Sequence, residues 1–195
     1  MKYQLLTYLQ PAFAVLLVLS LLQPAGQVSA QQLELAPDSR IWIEGTSNRS
    51  DWVVHANEMS AQATPSEASV APSTLELTVT TAEIKSGSST IMDRLMHEAL
   101  NVAEHPTATY ELVRAEPAGD AVLTTTGQLT LAGVTNEIEM QVESERGEDG
   151  SVRFTGTTPL KMSDYGMQPP TAMFGALRTG DDVTVHFDVA FVPAE

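Results

Sequence analysis

Residues 123–143, LTTTGQLTLAGVTNEIEMQVE, alternate twice about a short turn. Leu123, Thr125, Gly127, Leu129 and Leu131 stand against Thr124, Thr126, Gln128 and Thr130, and after Ala132-Gly133-Val134-Thr135-Asn136 the residues Ile138, Met140 and Val142 stand against Glu137, Glu139, Gln141 and Glu143. A period of two is that of a strand with one face in water. A short turn carrying Gly and Asn joins antiparallel neighbours. The pair predicts a sheet with an apolar inner face and a charged, solvated outer one.

The same period runs outward in both directions. Ile41 and Ile43 alternate with Arg40, Trp42 and Glu44, and Trp52, Val54 and Ala56 with Asp51, Val53 and His55. Leu75, Leu77 and Val79 follow, then Ala108, Tyr110 and Leu112. Beyond the opening pair come Val152, Phe154, Gly156, Leu160 and Met162, and a last strand over residues 183–191. The turn Arg146-Gly147-Glu148-Asp149-Gly150 is a second short hairpin loop. Eight sequential strands with one apolar face suit an up-and-down barrel or a sandwich, and full closure, which leaves no bare strand edge, favours the barrel.

One segment departs from this period. Residues 90–101, TIMDRLMHEALN, place Met92, Leu95, Met96, Ala99 and Leu100 on one face of an α-helix. Thr90 with Asp93 suits the start of that helix and Asn101 its end. Residues 61–73, with two Pro and several Ser and Ala, read as a flexible hairpin loop or a frayed strand edge. The segment 167–177, MQPPTAMFGAL, is a loop that is unusually oily.

Residues 1–30 have the layout of an export signal: Lys2, an apolar run over 12–19 extended by Leu21 and Leu22, and the small triplet Val28-Ser29-Ala30 before a cut after Ala30. That run is short for a bilayer span. The expectation is a mature chain of residues 31–195, periplasmic or secreted, with no stable membrane insertion. Cysteine is absent, so neither a disulfide nor a thiolate metal site is available. The formal charge of -15 opposes binding to nucleic acid and electrostatic docking on anionic lipid.

Little in the chain suggests catalysis, and no cofactor is expected. Ser163-Asp164 and His186 are the ingredients of a nucleophile and its base, but no Gly-x-Ser-x-Gly elbow surrounds Ser163. His55, His97, His105 and His186 are scattered, with His97 and His105 the nearest pair for a metal. Methionine is the informative residue. It is flexible and polarizable, suited to apolar surfaces that accept variable shapes, and it clusters in the helix and the oily loop. An eight-stranded barrel has room either for packed side chains or for one slender ligand, and from the pattern alone both remain open.

Several motifs bring the chain close to a known family. Met92-Asp93-Arg94 with the following helix, Glu104-His105-Pro106-Thr107-Ala108-Thr109-Tyr110, the hairpin of residues 127–135 and Ser163-Asp164-Tyr165-Gly166 occur in an order that resembles the YceI-like family. The resemblance runs from about Ser39 to Phe191. It implies an all-β, lipocalin-like, eight-stranded antiparallel barrel with one short inserted α-helix, binding a long apolar molecule such as a polyisoprenoid or fatty-acyl lipid without catalysis. The family's early Gly-x-Phe-x-x-Phe-x-Gly stretch is replaced here by Gly45-Thr46-Ser47 and Asp51-Trp52.

The expected ligand-lining residues are Trp52, Met92, Leu95, Met96, Tyr110, Leu129, Met140, Phe154, Met162, Met173, Phe174 and Phe187. The helix and the oily loop are expected to flank the entrance, stiffened by Pro169-Pro170. Two other readings stand beside this one: an interaction module of the cell envelope with a plugged barrel, and a metal or redox accessory protein using His97 and His105. The sequence also leaves open an assembly of two copies.

Overall fold

A computed structural model describes residues 32–66 and 69–194; the expected export signal lies outside them. The strands are β1 (Leu33–Leu35), β2 (Arg40–Ser47), β3 (Trp52–Ala56), β4 (Met59–Thr64), β5 (Thr74–Thr80) and β6 (Ile84–Lys85), then α1 (Thr90–Ala99), followed by β7 (Thr107–Pro117), β8 (Val122–Leu131), β9 (Val134–Arg146), β10 (Val152–Lys161), β11 (Thr171–Ala172) and β12 (Leu177–Pro193). β1 and β2 both pair with β12, so they act as one bent strand. The pairings of β4 with β1 and of β3 with β2 join β3 and β4 in the same way, and β5 and β6 form a third bent strand along them. β7, β8, β9, β10 and β12 continue the meander, and β12 meets β1 and β2 to close it. Among the described residues the result is a closed, eight-stranded antiparallel barrel with one α-helix.

The alternation of the sequence decides which face turns inward. Ile138, Met140 and Val142 pack toward the core while Glu137, Glu139, Gln141 and Glu143 are exposed. A charged outside around an apolar inside is the reverse of a transmembrane barrel, whose lipid-facing band is apolar. Among the described residues no helix is long and apolar enough to cross a membrane.

Three local expectations need correction. The β8–β9 turn is the pair Ala132-Gly133 alone, with φ of 47° and 79° and with Leu131 facing Val134; both central residues are left-handed, as the tightest hairpins require. Residues 61–64 are no frayed edge but part of β4, hydrogen-bonded to β5 and carrying the buried Ala63. Their run of small residues hid a strand that tertiary pairing stabilises. The helix is capped by Ser89, one residue before Thr90: its Oγ accepts from Met92 N at 3.3 Å, and Asn101, at φ 50°, marks the other end as expected.

The meander puts the two ends of the barrel to different uses. The β2–β3 and β8–β9 hairpins, the connection carrying α1 and the β10–β12 loop all lie at one end. The other end is packed shut. There Leu33, Val152, Phe154, Val189 and Phe191 are buried, and the rings of Phe154 and Phe191 meet edge to face with centroids 6.1 Å apart. Across the seam outside, the Asp188 carboxylate on β12 accepts from Arg40 on β2 at 2.8 Å and from Arg153 on β10, which also reaches Asp38.

Candidate functional site

From the mouth toward the packed end the barrel encloses a cavity of about 680 Å³, within the range of small-molecule sites. Its wall is almost wholly apolar. Ile43, Leu77, Leu129, Ile138, Met140 and Val185 face it, and they are only half-buried because the space before them is empty. The lining extends along β12 from Thr179 to Val189, which at the usual strand rise and barrel tilt is roughly 25 Å of axis.

Three glycines keep this space open. Gly45 faces Trp52 across the β2–β3 pair, Gly156 faces Phe187 across β10 and β12, and Gly127 lies diagonally from Tyr110 on β7 and β8. A Cβ at Gly45 would stand 2.1 Å from the Trp52 ring, and one at Gly156 would stand 2.6 Å from Phe187. Each aromatic ring therefore lies against the wall in the room its glycine leaves. Trp52 is held there by a hydrogen bond from Nε1 to the carbonyl of Thr46 at 3.0 Å. A plugged barrel would need these rings to meet across the axis.

Two polar atoms stand out in this apolar lining. The hydroxyls of Tyr110 and Tyr165 are buried beside Thr125 and Asn136 respectively, and neither makes a hydrogen bond of good geometry. Burial pushes both phenols above their ordinary pKa, so they remain protonated donors at neutral pH. The mouth is more polar, with Ser47, Arg49, Ser50 and Lys161 on its rim.

Trp52, Met92, Leu95, Met96, Tyr110, Leu129, Met140, Phe154, Met162, Met173 and Phe187, all read from the sequence as lining residues, line the cavity. Phe154 does so at the packed end, 6% exposed, where it is more floor than wall. Phe174 does not line it. Met173, Phe174 and Gly175 have consecutive left-handed φ values of 53°, 54° and 84°, and this turn throws the Phe174 ring outward to full exposure. The oily segment thus divides in two: Met167 is buried beneath the mouth beside the preceding Met162 and Tyr165, which are also buried, while Met173 and Phe174 form an exposed tip.

The polar candidates are dispersed. Ser163 donates to Asp181 at 2.6 Å, whereas His186 stacks on Trp42 on the outer wall, ring centroids 4.9 Å apart, beside Glu44. Nε2 of His97 lies 2.9 Å from the carbonyl oxygen of Ile84, and the His105 ring packs against Gly133. Among the described residues no group of three or more His, Asp or Glu is arranged to hold a metal ion. Sequence reasoning missed Tyr165 and the role of the glycines; the signal for the latter was an isolated Gly inside each alternating run, where a close approach is the usual reason for it.

Comparison with known proteins agrees with this geometry. The model of the YceI-like domain matches residues 36–191. A UPF0312 protein of Azotobacter vinelandii is 40% identical over 74 residues, 35% of this chain and 38% of that relative. The UPF0312 protein PA0423 of Pseudomonas aeruginosa is 38% identical over 74 residues, again 35% and 38% of the two chains. The match thus spans less than half the length of these curated relatives. Among solved structures, BcnA of Burkholderia cenocepacia superposes with a TM-score of 0.67 at 18% identity, over 78% of this chain and 95% of that one. A polyisoprenoid binding domain from Saccharophagus degradans, implicated in plant cell wall breakdown, superposes with a TM-score of 0.69 at 13% identity, over 85% and 99%. At these identities the structural likeness is one of fold.

Proposed function

We propose, from the premise that this chain belongs to the YceI-like domain family, that it is an exported carrier which holds one long apolar chain, a polyisoprenoid or fatty-acyl lipid, inside the barrel and catalyses no reaction. The observation that carries this reading is the open apolar cavity of about 680 Å³ with its aromatic rings laid against glycines. A preformed, dry slot binds by removing hydrocarbon from water, at about 0.8 kcal/mol per methylene. Eight buried carbons would bring about 6 kcal/mol, enough to offset a large part of the freedom lost on association. The hydroxyls of Tyr110 and Tyr165, which make no hydrogen bond of good geometry, suit an oxygen on the same ligand. Export would follow from residues 1–30, removed after Ala30, and would leave the carrier in the periplasm or outside the cell.

The test is mass spectrometry of an organic extract of the protein taken from its native cells. Met140→Glu, which aims a charge into the cavity from a half-buried position, serves as control. A stoichiometric prenyl or acyl species that disappears in the folded variant supports the carrier. An empty, folded wild-type protein sinks it.

A further inference from the structure

The large apolar side chains that the described residues leave exposed are Val53, Ile91, Val113, Met173 and Phe174. Val53 and Val113 stand singly on the outer wall, which is ordinary for a protein surface. The other three gather at one end. Ile91 and Met173 border the cavity, 63% and 68% exposed, and Phe174 beside Met173 is 113% exposed. The tip also adopts a backbone that the rest of the fold does not reward. Met173 and Phe174 both sit in the left-handed region, unfavourable for residues with a Cβ, and the outcome is a Phe ring held wholly in water.

The overall charge of -15 opposes docking on anionic lipid, but two cations stand beside this tip. Arg40, Lys85, Arg94, Arg114, Arg153 and Lys161 each have a carboxylate within ion-pair distance. Arg146, by contrast, reaches the Ser69 carbonyl near the packed end. Arg49 and Arg178, both exposed, have no carboxylate partner among the described residues; Arg49 borders the mouth, and Arg178, at the start of β12, donates through Nε to the carbonyl of Gly175 in the tip at 3.0 Å. Their hairpins are tied together: Asn48 donates through N to the carbonyl of Arg178 at 3.0 Å and through Nδ2 to that of Ala176 at 2.9 Å, and accepts from Arg178 N at 2.9 Å. Asp51, in the same hairpin as Arg49, and Asp164 offset part of this charge, while at the start of β12 Asp181 is taken up by Ser163 and Asp182 by Lys161.

We propose that the mouth of the barrel docks on an anionic lipid bilayer, with Phe174, Met173 and Ile91 entering the headgroup region and Arg49 and Arg178 meeting lipid phosphates. Exposed apolar side chains flanked by unpaired cations are the chemistry of an interfacial anchor. The proposal rests on the carrier reading in one respect: with the cavity opening among these side chains, an apolar chain would pass between bilayer and barrel without crossing water.

Flotation with vesicles tests it, using the chain from Gln31, which carries the complete closed barrel. Vesicles of phosphatidylcholine with and without phosphatidylglycerol are compared at low and high salt. The protein is expected to float with the anionic vesicles. Phe174→Ser is expected to weaken binding about tenfold with an unchanged thermal unfolding midpoint, since the ring touches nothing in the fold. Arg49→Ser with Arg178→Ser is expected to lose binding several-fold to the anionic vesicles only, and more at low salt. No flotation, or flotation indifferent to Phe174→Ser, overturns the proposal. So does a wild-type chain that dimerises through this tip in gel filtration and ignores vesicles. Lipid extraction separates the two readings: cargo without vesicle binding removes the docking surface and keeps the carrier, and vesicle binding by an empty barrel keeps the surface and removes the carrier.

Discussion

The ring of Tyr110 lies over Gly127 so closely that a Cβ at position 127 would stand 2.4 Å from it. Because the two are diagonal neighbours on adjacent strands, the ring has nowhere to go but into the cavity once that Cβ is present. Gly127→Ala is therefore expected to destabilise the fold by about 1–3 kcal/mol, as overpacking does, and to weaken binding of a fluorescent fatty-acyl probe. Gly119→Ala, where the nearest heavy atom is 3.8 Å away, is the matched control and should shift stability by no more than about 0.5 kcal/mol. Thermal unfolding and a probe titration on both variants check this; equal effects at the two sites would remove the spacing role of Gly127.

An open cavity and a packed floor also make opposite predictions for truncation. Phe191, fully buried against Phe154, is expected to cost about 3–5 kcal/mol on change to Ala, because a closed void replaces the ring. Met140→Ala enlarges a space that already exists, so it forfeits fewer contacts and is expected to cost less than half as much. Urea unfolding measures both. Comparable losses would mean that Met140 packs against a filled interior.

The alternation that displayed the barrel in the sequence could not display the cavity. Val183, Val185 and Phe187 read as inward-facing, and they are. Whether inward side chains meet or stand apart depends on rings crossing between strands distant in the chain, and a period of two carries no such information. The pairing of Gly156 with Phe187 spans 31 positions and appears only once β10 and β12 are in register. Phe174 shows the converse: an apolar residue in an oily loop suggests lining, while its exposure follows from a left-handed backbone at two residues that ordinarily avoid it. The helix, by contrast, was legible to within one residue, since its period and its ends are local properties.

Asp188 ties three strands at the closure seam through Arg40 and Arg153. Hydrogen bonding from Arg40, with Arg153 beside it, holds this carboxyl below its ordinary pKa. A group stabilised in its charged form contributes fully above its unfolded pKa, about 3.9 for Asp, and the contribution is lost as pH falls through the lower folded value. With Arg40 largely exposed and screened, the contribution is about 1 kcal/mol. Asp188→Asn is expected to be less stable than wild type at pH 6 by about that amount, and the gap should narrow progressively below pH 4. Urea unfolding across this range decides; a gap independent of pH would assign the effect to packing.

The helix α1 depends on local interactions more than any wall strand does. None of its residues is fully buried, because its apolar face looks into the cavity, and its N-terminus is held by Ser89, whose Oγ accepts from Met92 N, with the Asp93 carboxylate accepting from Ser86 N at 2.7 Å. A Ser cap is worth about 1 kcal/mol. In a segment that opens apart from the barrel, that energy appears in the local opening equilibrium and leaves global unfolding untouched. Ser89→Ala is thus expected to speed amide exchange over residues 92–99 about fivefold while β8 and β9 keep their protection, and Ser89→Asp should restore the slow rate. If the amides of α1 and the barrel instead accelerate together, the helix unfolds only with the whole, and it cannot act as a part of the mouth that opens by itself.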